Sequence, residues 1–183
     1  HIITQVKMCR NVDRLVVSTD DDEISDIALQ YGAEVIKRPC ELSTDTAASE
    51  ASLLHVIDHL REEEGYESDI LVFLQCTSPL TLAKDIEGAI EALLSSNADS
   101  AFSATLSHCF IWKKGSDGSA IAVNHNKDRR PLRQSLEPEY VENGAIFAMR
   151  TLGFRKARFR FFGKTVIFPM PSERFIDIDE DHD

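Results

Sequence analysis

Near the C-terminal end the sequence reads ERFIDID, residues 173–179, and two carboxylates, Asp177 and Asp179, alternate with Ile176 and Ile178. In a strand, side chains two residues apart face the same way. Both carboxylates would then meet the same solvent or ligand, and both isoleucines would pack into the core. Mg2+ prefers oxygen ligands and often takes one or two carboxylates plus substrate phosphates. The spacing therefore suits a Mg2+–nucleotide site. A strand with one wet face gives the same alternation without a metal.

Three other groupings invite chemistry. Arg38 stands at the expected end of a strand, and Ala47 and Ser49 lie at the start of the following helix. Small residues and free backbone N–H groups there allow a planar base or an anion to approach. A capped helix with a surface arginine reads the same way. Gln75 ends an apolar run and opens the turn Gln-Cys-Thr-Ser-Pro. Its amide can donate and accept, which suits a sugar, while a plain Pro79 turn needs no ligand. Arg129, Arg130 and Arg133 gather positive charge that could hold a carboxylate or phosphate by forked hydrogen bonds, or could balance Glu137, Glu139 and Glu142 in solvent. His55 and His59 sit one helical turn apart with no third metal ligand in view.

The elements that must position these groups follow from hydrophobic period. The apolar run Leu15-Val16-Val17, AEVIKRP up to Pro39, Ile70–Leu74, DSAFSATL and GAIFAMR read as strands. DDEISDIALQY, STDTAASEASLLHVIDHLREEE and AKDIEGAIEALLSSNA read as helices; Gly32 and Gly65 stop the first two, and the Ser/Thr/Asp-rich start of the second offers N-caps. Strand and helix alternate up to about residue 107. That order predicts an α/β fold with a mostly parallel sheet, helices on both faces, and ligands beyond the carboxyl ends of the strands. Residues 107–150 break the rhythm and read as an inserted arm within one domain spanning 1–183.

With 183 residues and 43% apolar content, the chain can bury a full core. The formal net charge of −11 argues against nucleic-acid binding but allows a nucleotide held through Mg2+. Cys9, Cys40, Cys76 and Cys109 form no CxxC or zinc spacing and read as buried or partly buried thiols of a reducing compartment. No apolar run is long enough to cross a membrane, and a cytoplasmic protein is expected. GxGxxG, GxxxxGK[ST] and GxSxG are all missing from the sequence.

Taken in order, VVSTDDDEI, KRPCELSTDTAAS, FLQCTSPL, RQSLEPEYVENGAIF and ERFIDID resemble the acylneuraminate cytidylyltransferases, the CMP-sialic acid synthetases. The resemblance runs through nearly the whole chain. It implies an α/β, nucleotide-diphospho-sugar transferase-like (Rossmann-like) fold with a dimerisation arm, and a homodimer. It implies transfer of CMP from CTP to a nonulosonic acid, with Mg2+ held by Asp177 and Asp179 as the catalytic carboxylates. Arg38, Ala47 and Ser49 match cytidine-contacting positions, and Gln75 a sugar-contacting one. Asn143 of the NGAI motif, Lys113, Arg133, Phe161 and Phe162 match positions around the sugar, some of them across the dimer interface. Phe147 stands where many members have tyrosine. The QCTSP loop, in place of an acidic one, favours a nine-carbon sugar over 3-deoxy-manno-octulosonate. The same resemblance also covers enzymes for legionaminic or deaminated neuraminic acid, and a non-catalytic binding module on the same fold. Family members begin with a further strand and a Gly/Lys loop around the triphosphate. This sequence starts in the helix after them, so weak or no catalysis is expected of these 183 residues alone.

Overall fold

A computed structural model of the chain describes residues 1–44, 46–129, 132 and 137–180. Helix α1 (Ile2–Val6) precedes β1 (Val16–Thr19), α2 (Asp22–Gln30) and β2 (Glu34–Lys37). Asp21 caps α2 by accepting from the Ile24 N–H at 2.8 Å, and Gly32 at φ 78° turns the chain back. β1 and β2 pair in parallel, Val16 opposite Glu34 and Thr19 opposite Lys37. Next come α3 (Ser49–Glu64), β3 (Ile70–Leu74), α4 (Ala83–Ser95) and β4 (Ser100–Ser107). A hairpin, β5 (Trp112–Lys114) with β6 (Ala120–Ala122), leads to β7 (Glu139–Arg150), α5 (Thr151–Ala157) and β8 (Thr165–Pro169).

The larger sheet runs β3-β7-β4-β8, with β1-β2 and β5-β6 as separate two-stranded sheets. The α/β alternation forms as expected, but the sheet is mixed. β4 and β8 are parallel, whereas β7 runs antiparallel to both of its neighbours. The cause is topological: β7 enters from the inserted segment and fills the gap between β3 and β4.

α4 shows why the helical layer holds. Ile86, Ala89, Ile90 and Leu93 recur at one helical face and are all buried, against Ala145, Ile146, Ala148 and Met170. Gly88 lets the Phe168 ring approach this face closely; a Cβ there would sit 2.4 Å from the ring. On the other face of β7, Phe147, Met149 and Phe154 pack with Leu54 and Ile57 of α3.

Three expectations give way. α3 starts only at Ser49, after a short 3-10 turn at Cys40–Leu42, and its N-cap is Ala48 with no side-chain cap. Residues 175–179 form no strand, and Ile176 and Ile178 are nearly half exposed. Pro169 and Pro171 remove ladder donors just before this segment. A backbone bond from the Ile178 N–H to the Thr77 carbonyl, 2.9 Å, ties it to the loop after β3. The cysteines are unpaired, and Cys40, Cys76 and Cys109 are exposed rather than buried. Among the described residues, no helix is long and apolar enough to cross a membrane.

Candidate functional site

The site is assembled from the β3 end outward. β3 delivers Gln75 just beyond its last residue, and the Gln75 N–H continues the β3–β7 ladder to the Ala145 carbonyl at 3.2 Å. Opposite it, β7 bulges. Phe102 pairs with Phe147 but Ala104 pairs with Glu142, so extra β7 residues loop out between them. Gly144 sits in the bulge at φ 72°. A Cβ at Gly144 would lie 2.7 Å from Gln75 Oε1 and 3.8 Å from Asp177 Oδ2. Glycine is needed there for the positive φ and for the close approach of the Gln75 amide. Gln75, Gly144 and Asp177 thus share one corner.

Asp177 Oδ1 is buried in that corner and has no hydrogen-bond partner. Ser78 Oγ, Thr81 Oγ1 and Arg174 Nε, all on the two segments that meet at the Thr77–Ile178 bond, are also buried and unpaired. Buried polar atoms are nearly always satisfied, so an unpaired carboxylate oxygen makes this corner a candidate for meeting a ligand. A hard cation with oxygen preference fits that oxygen. Asp179 follows two residues on and is exposed. Among the described residues, no cluster of three or more His, Cys, Asp or Glu could hold a metal by itself. The carboxylates suit an ion that takes its other ligands from substrate and water.

Asp85 and Arg174 hold the segment that carries Asp177. The Asp85 carboxylate accepts from the Leu82 N–H at 3.0 Å, closing the first turn of α4, and from Arg174 Nη2 at 2.6 Å. Their side chains are 2% and 13% exposed. Sequence reasoning missed both; the one signal was an acidic residue at the third position of α4, where carboxylates cap helices.

A second half of the site lies at the start of α3. The Arg38 N–H bonds the Thr19 carbonyl, its guanidinium reaches Asp20 at 3.7 Å and Ser52 Oγ at 3.5 Å, and its Nε is buried and unpaired. Ala47 is in the loop just before α3, and Ser49 is its first residue. Arg160, unforeseen in the sequence, donates to Ser49 Oγ at 2.6 Å and to Glu50 Oε1 at 2.7 Å. Burial works to raise the Glu50 carboxyl, but the hydrogen bond and charge of Arg160 outweigh it and hold the group below its ordinary value.

The other candidates lie in different surroundings, Phe161 in edge contact with the Phe147 ring at 6.0 Å. Asn143 is buried and turned away from the corner. Its Oδ1 accepts from Ser103 Oγ at 2.6 Å and from the Ala145 N–H at 3.2 Å, and its Nδ2 donates to Met170 Sδ at 3.2 Å. That network shapes the bulge presenting Gly144. Phe161 and Phe162 are part-buried against the α3–β7 core, and Phe161 meets Phe102 edge-on at 5.2 Å. Lys113 is exposed on β5, which pairs only with β6. Arg133 lies outside the described residues, as does Arg130, while Arg129 is exposed.

Comparison with known proteins places the chain. A cytidylyltransferase family profile matches residues 1–175. The chain is 35% identical to N-acylneuraminate cytidylyltransferase A of Danio rerio over 172 residues, which cover 91% of this chain and 38% of the relative. It is 30% identical to N-acylneuraminate cytidylyltransferase of Streptococcus agalactiae serotype V over 167 residues, 90% of this chain and 39% of the relative. The chain thus spans under two fifths of the length of these curated relatives. Among solved structures, a CMP:2-keto-3-deoxy-manno-octonic acid synthetase complexed with CTP superposes with TM-score 0.62 at 14% identity, over 94% of this chain and 78% of that one. A 4-diphosphocytidyl-2C-methyl-D-erythritol synthase superposes with TM-score 0.69 at 13% identity, over all of this chain and 84% of that one. The structural likeness fixes the fold, and the profile match over 1–175 fixes the lineage: this chain belongs to the cytidylyltransferase family.

Proposed function

We propose that this chain is the catalytic region of a CMP-sialic-acid-type cytidylyltransferase, which transfers CMP from CTP to the anomeric hydroxyl of a nonulosonic acid and releases pyrophosphate. The observation that carries this reading is the corner of Gln75, Gly144 and Asp177, in which a buried carboxylate oxygen stands unpaired beside an amide. N-acylneuraminate, named for the relatives above, is the preferred acceptor; legionaminic and deaminated neuraminic acids are the other candidates within the class.

In this reading Arg38, Ala47 and Ser49 bind the cytidine side, where the unpaired Arg38 Nε offers a donor. Gln75 orients the sugar by donating and accepting through its amide. Its place against Gly144 brings the sugar toward the Asp177 carboxylate. Holding the hydroxyl in line with the α-phosphorus converts a two-body encounter into an oriented one. Asp177 and Asp179 would hold Mg2+, which when bound neutralises phosphate oxygens and the departing pyrophosphate. The anomeric oxygen forms the new P–O bond as the bond to pyrophosphate breaks, and its proton passes to water.

A homodimer in the cytoplasm completes the proposal. Ile111, Trp112, Ile121 and Val123 leave an exposed apolar face on and beside the β5–β6 hairpin, the kind of patch that marks an interface. Lys113, on this hairpin, would reach a partner's sugar pocket.

Pyrophosphate release with CTP, UTP and ATP, each offered N-acetylneuraminate, legionaminic acid and 3-deoxy-manno-octulosonate, tests the reading. The proposal predicts turnover with CTP and a nine-carbon acid. Turnover only with the eight-carbon acid, or none with any pair in the full-length protein, overturns it.

A further inference from the structure

Arg160 touches both halves of the site, and no role has been assigned to it. Its guanidinium lies 4.6 Å from the Phe147 ring centroid and 5.4 Å from that of Phe73. These two rings pair across β3 and β7 and stack at 5.9 Å. Phe73 is two residues before Gln75, hence on the same face of β3. The same guanidinium holds Ser49 and Glu50, the first two residues of α3. Arg160 and Glu50 are 17% and 12% exposed, so water screens the pair little. α3 has no side-chain cap of its own. Its first turn is therefore fixed from outside, by an arginine stacked on the strands that carry Gln75 and the Gly144 bulge. Arginine suits this task because its planar fork binds a carboxylate and a hydroxyl while its face rests on an aromatic ring.

We propose that Arg160 is a positioning residue that couples the two substrate half-sites, locking the Ser49 end of α3 to the Phe73–Phe147 wall beside Gln75 so that binding of the nucleotide and of the sugar acid reinforce each other. The substrates named rest on the function proposed above; the mechanical link does not. Arg160 acts through Ser49, Glu50 and the two rings, and is not itself a catalytic residue.

The link is tested first in the ligand-free, full-length protein. Arg160→Met should speed amide exchange of residues 51–54 by at least about tenfold relative to α4, because the opening free energy of that turn falls. Exchange equal to wild type overturns the link, whatever the protein's substrates are. Coupling is tested by calorimetry with α,β-methylene CTP, with and without saturating N-acetylneuraminate. Wild type should bind the nucleotide about tenfold more tightly with the sugar present, within the usual range of coupling between sites. Arg160→Met should bring that ratio close to one, and Arg160→Lys should fall between. A merely structural role would change the fraction of active protein and leave the ratio intact. A wild-type ratio of one, or an undiminished ratio in the variant, overturns the coupling. The double variant Arg160→Met/Glu50→Gln leaves no stranded charge and serves if the single variant fails to fold. Failure of wild type to bind either ligand would overturn the proposed function while the exchange result still judges the link.

Discussion

Two arginines each join distant parts of the chain, in opposite settings. Arg174 meets Asp85 at 2.6 Å, with side chains 13% and 2% exposed. Arg14 bridges Glu34 and Glu64 across the start of β1, β2 and the end of α3, with both carboxylates more than 40% exposed. In the first setting the desolvated charges depend on each other, because neither has water to fall back on. In the second, water competes for every contact and salt screens what remains. The buried pair holds the segment leading to Asp177; the more exposed one ties the start of the separate β1–β2 sheet to the end of α3, where no candidate site residue lies. The chain thus places its more buried ion pair beside the proposed Asp177 corner, and the pair with the more exposed carboxylates away from every candidate site residue.

That contrast can be broken in stages. Asp85→Ala strands Arg174 and uncaps α4, and should cost about 3–5 kcal/mol of unfolding free energy, read from urea titration. The pair Asp85→Asn/Arg174→Met removes both charges together and should recover much of that loss, which would separate ion pairing from packing. Gly144→Ala comes next. Its φ of 72° disfavours a side chain, and its Cβ would push Gln75 Oε1 aside. A loss of about 1–2 kcal/mol is expected, together with a rise in KM for the sugar acid. Glu50 offers a subtler test. Arg160 holds its carboxyl below the ordinary value in the folded state. Its contribution is therefore fully present above the unfolded carboxyl pKa and is lost as pH falls through the lowered folded value. Unfolding midpoints of wild type and Glu50→Gln, measured from pH 7 downward, should differ at the top of that range and converge at the acid end. Arg14→Ala should have the smallest effect of all, an unfolding midpoint indistinguishable from wild type in 0.5 M salt.

The parts of the molecule governed by local rules were legible in the sequence. The 3.6-residue stripe of α4 and the apolar run of β3 set those elements, and the break after β3 placed Gln75 at a strand end. The α/β layering followed from their alternation. What escaped depends on distant partners. Asp85 and Arg174 lie 89 residues apart, and Arg160 meets Glu50 across 110. Neither pair leaves a periodic trace. Asn143 sits in a motif that suggests a ligand, yet its amide is engaged by Ser103 and Met170 inside the bulge. The alternation in FIDID suggested a strand, but a strand needs a ladder along its length, and after Pro169 and Pro171 the segment forms no strand among the described residues, its Ile178 N–H bonding the Thr77 carbonyl. Asp177 is therefore set by a loop contact and an ion pair rather than by a pleat.

The most direct test of the central claim compares Asp177→Asn with Arg14→Ala in the full-length protein, by Mg2+-dependent pyrophosphate release from CTP and N-acetylneuraminate alongside thermal unfolding. The account predicts that Asp177→Asn folds at least as stably as wild type, since it removes a negative charge whose buried Oδ1 has no partner, and yet loses turnover by orders of magnitude. Arg14→Ala should keep both stability and rate. Turnover by Asp177→Asn within a few-fold of wild type would contradict the account.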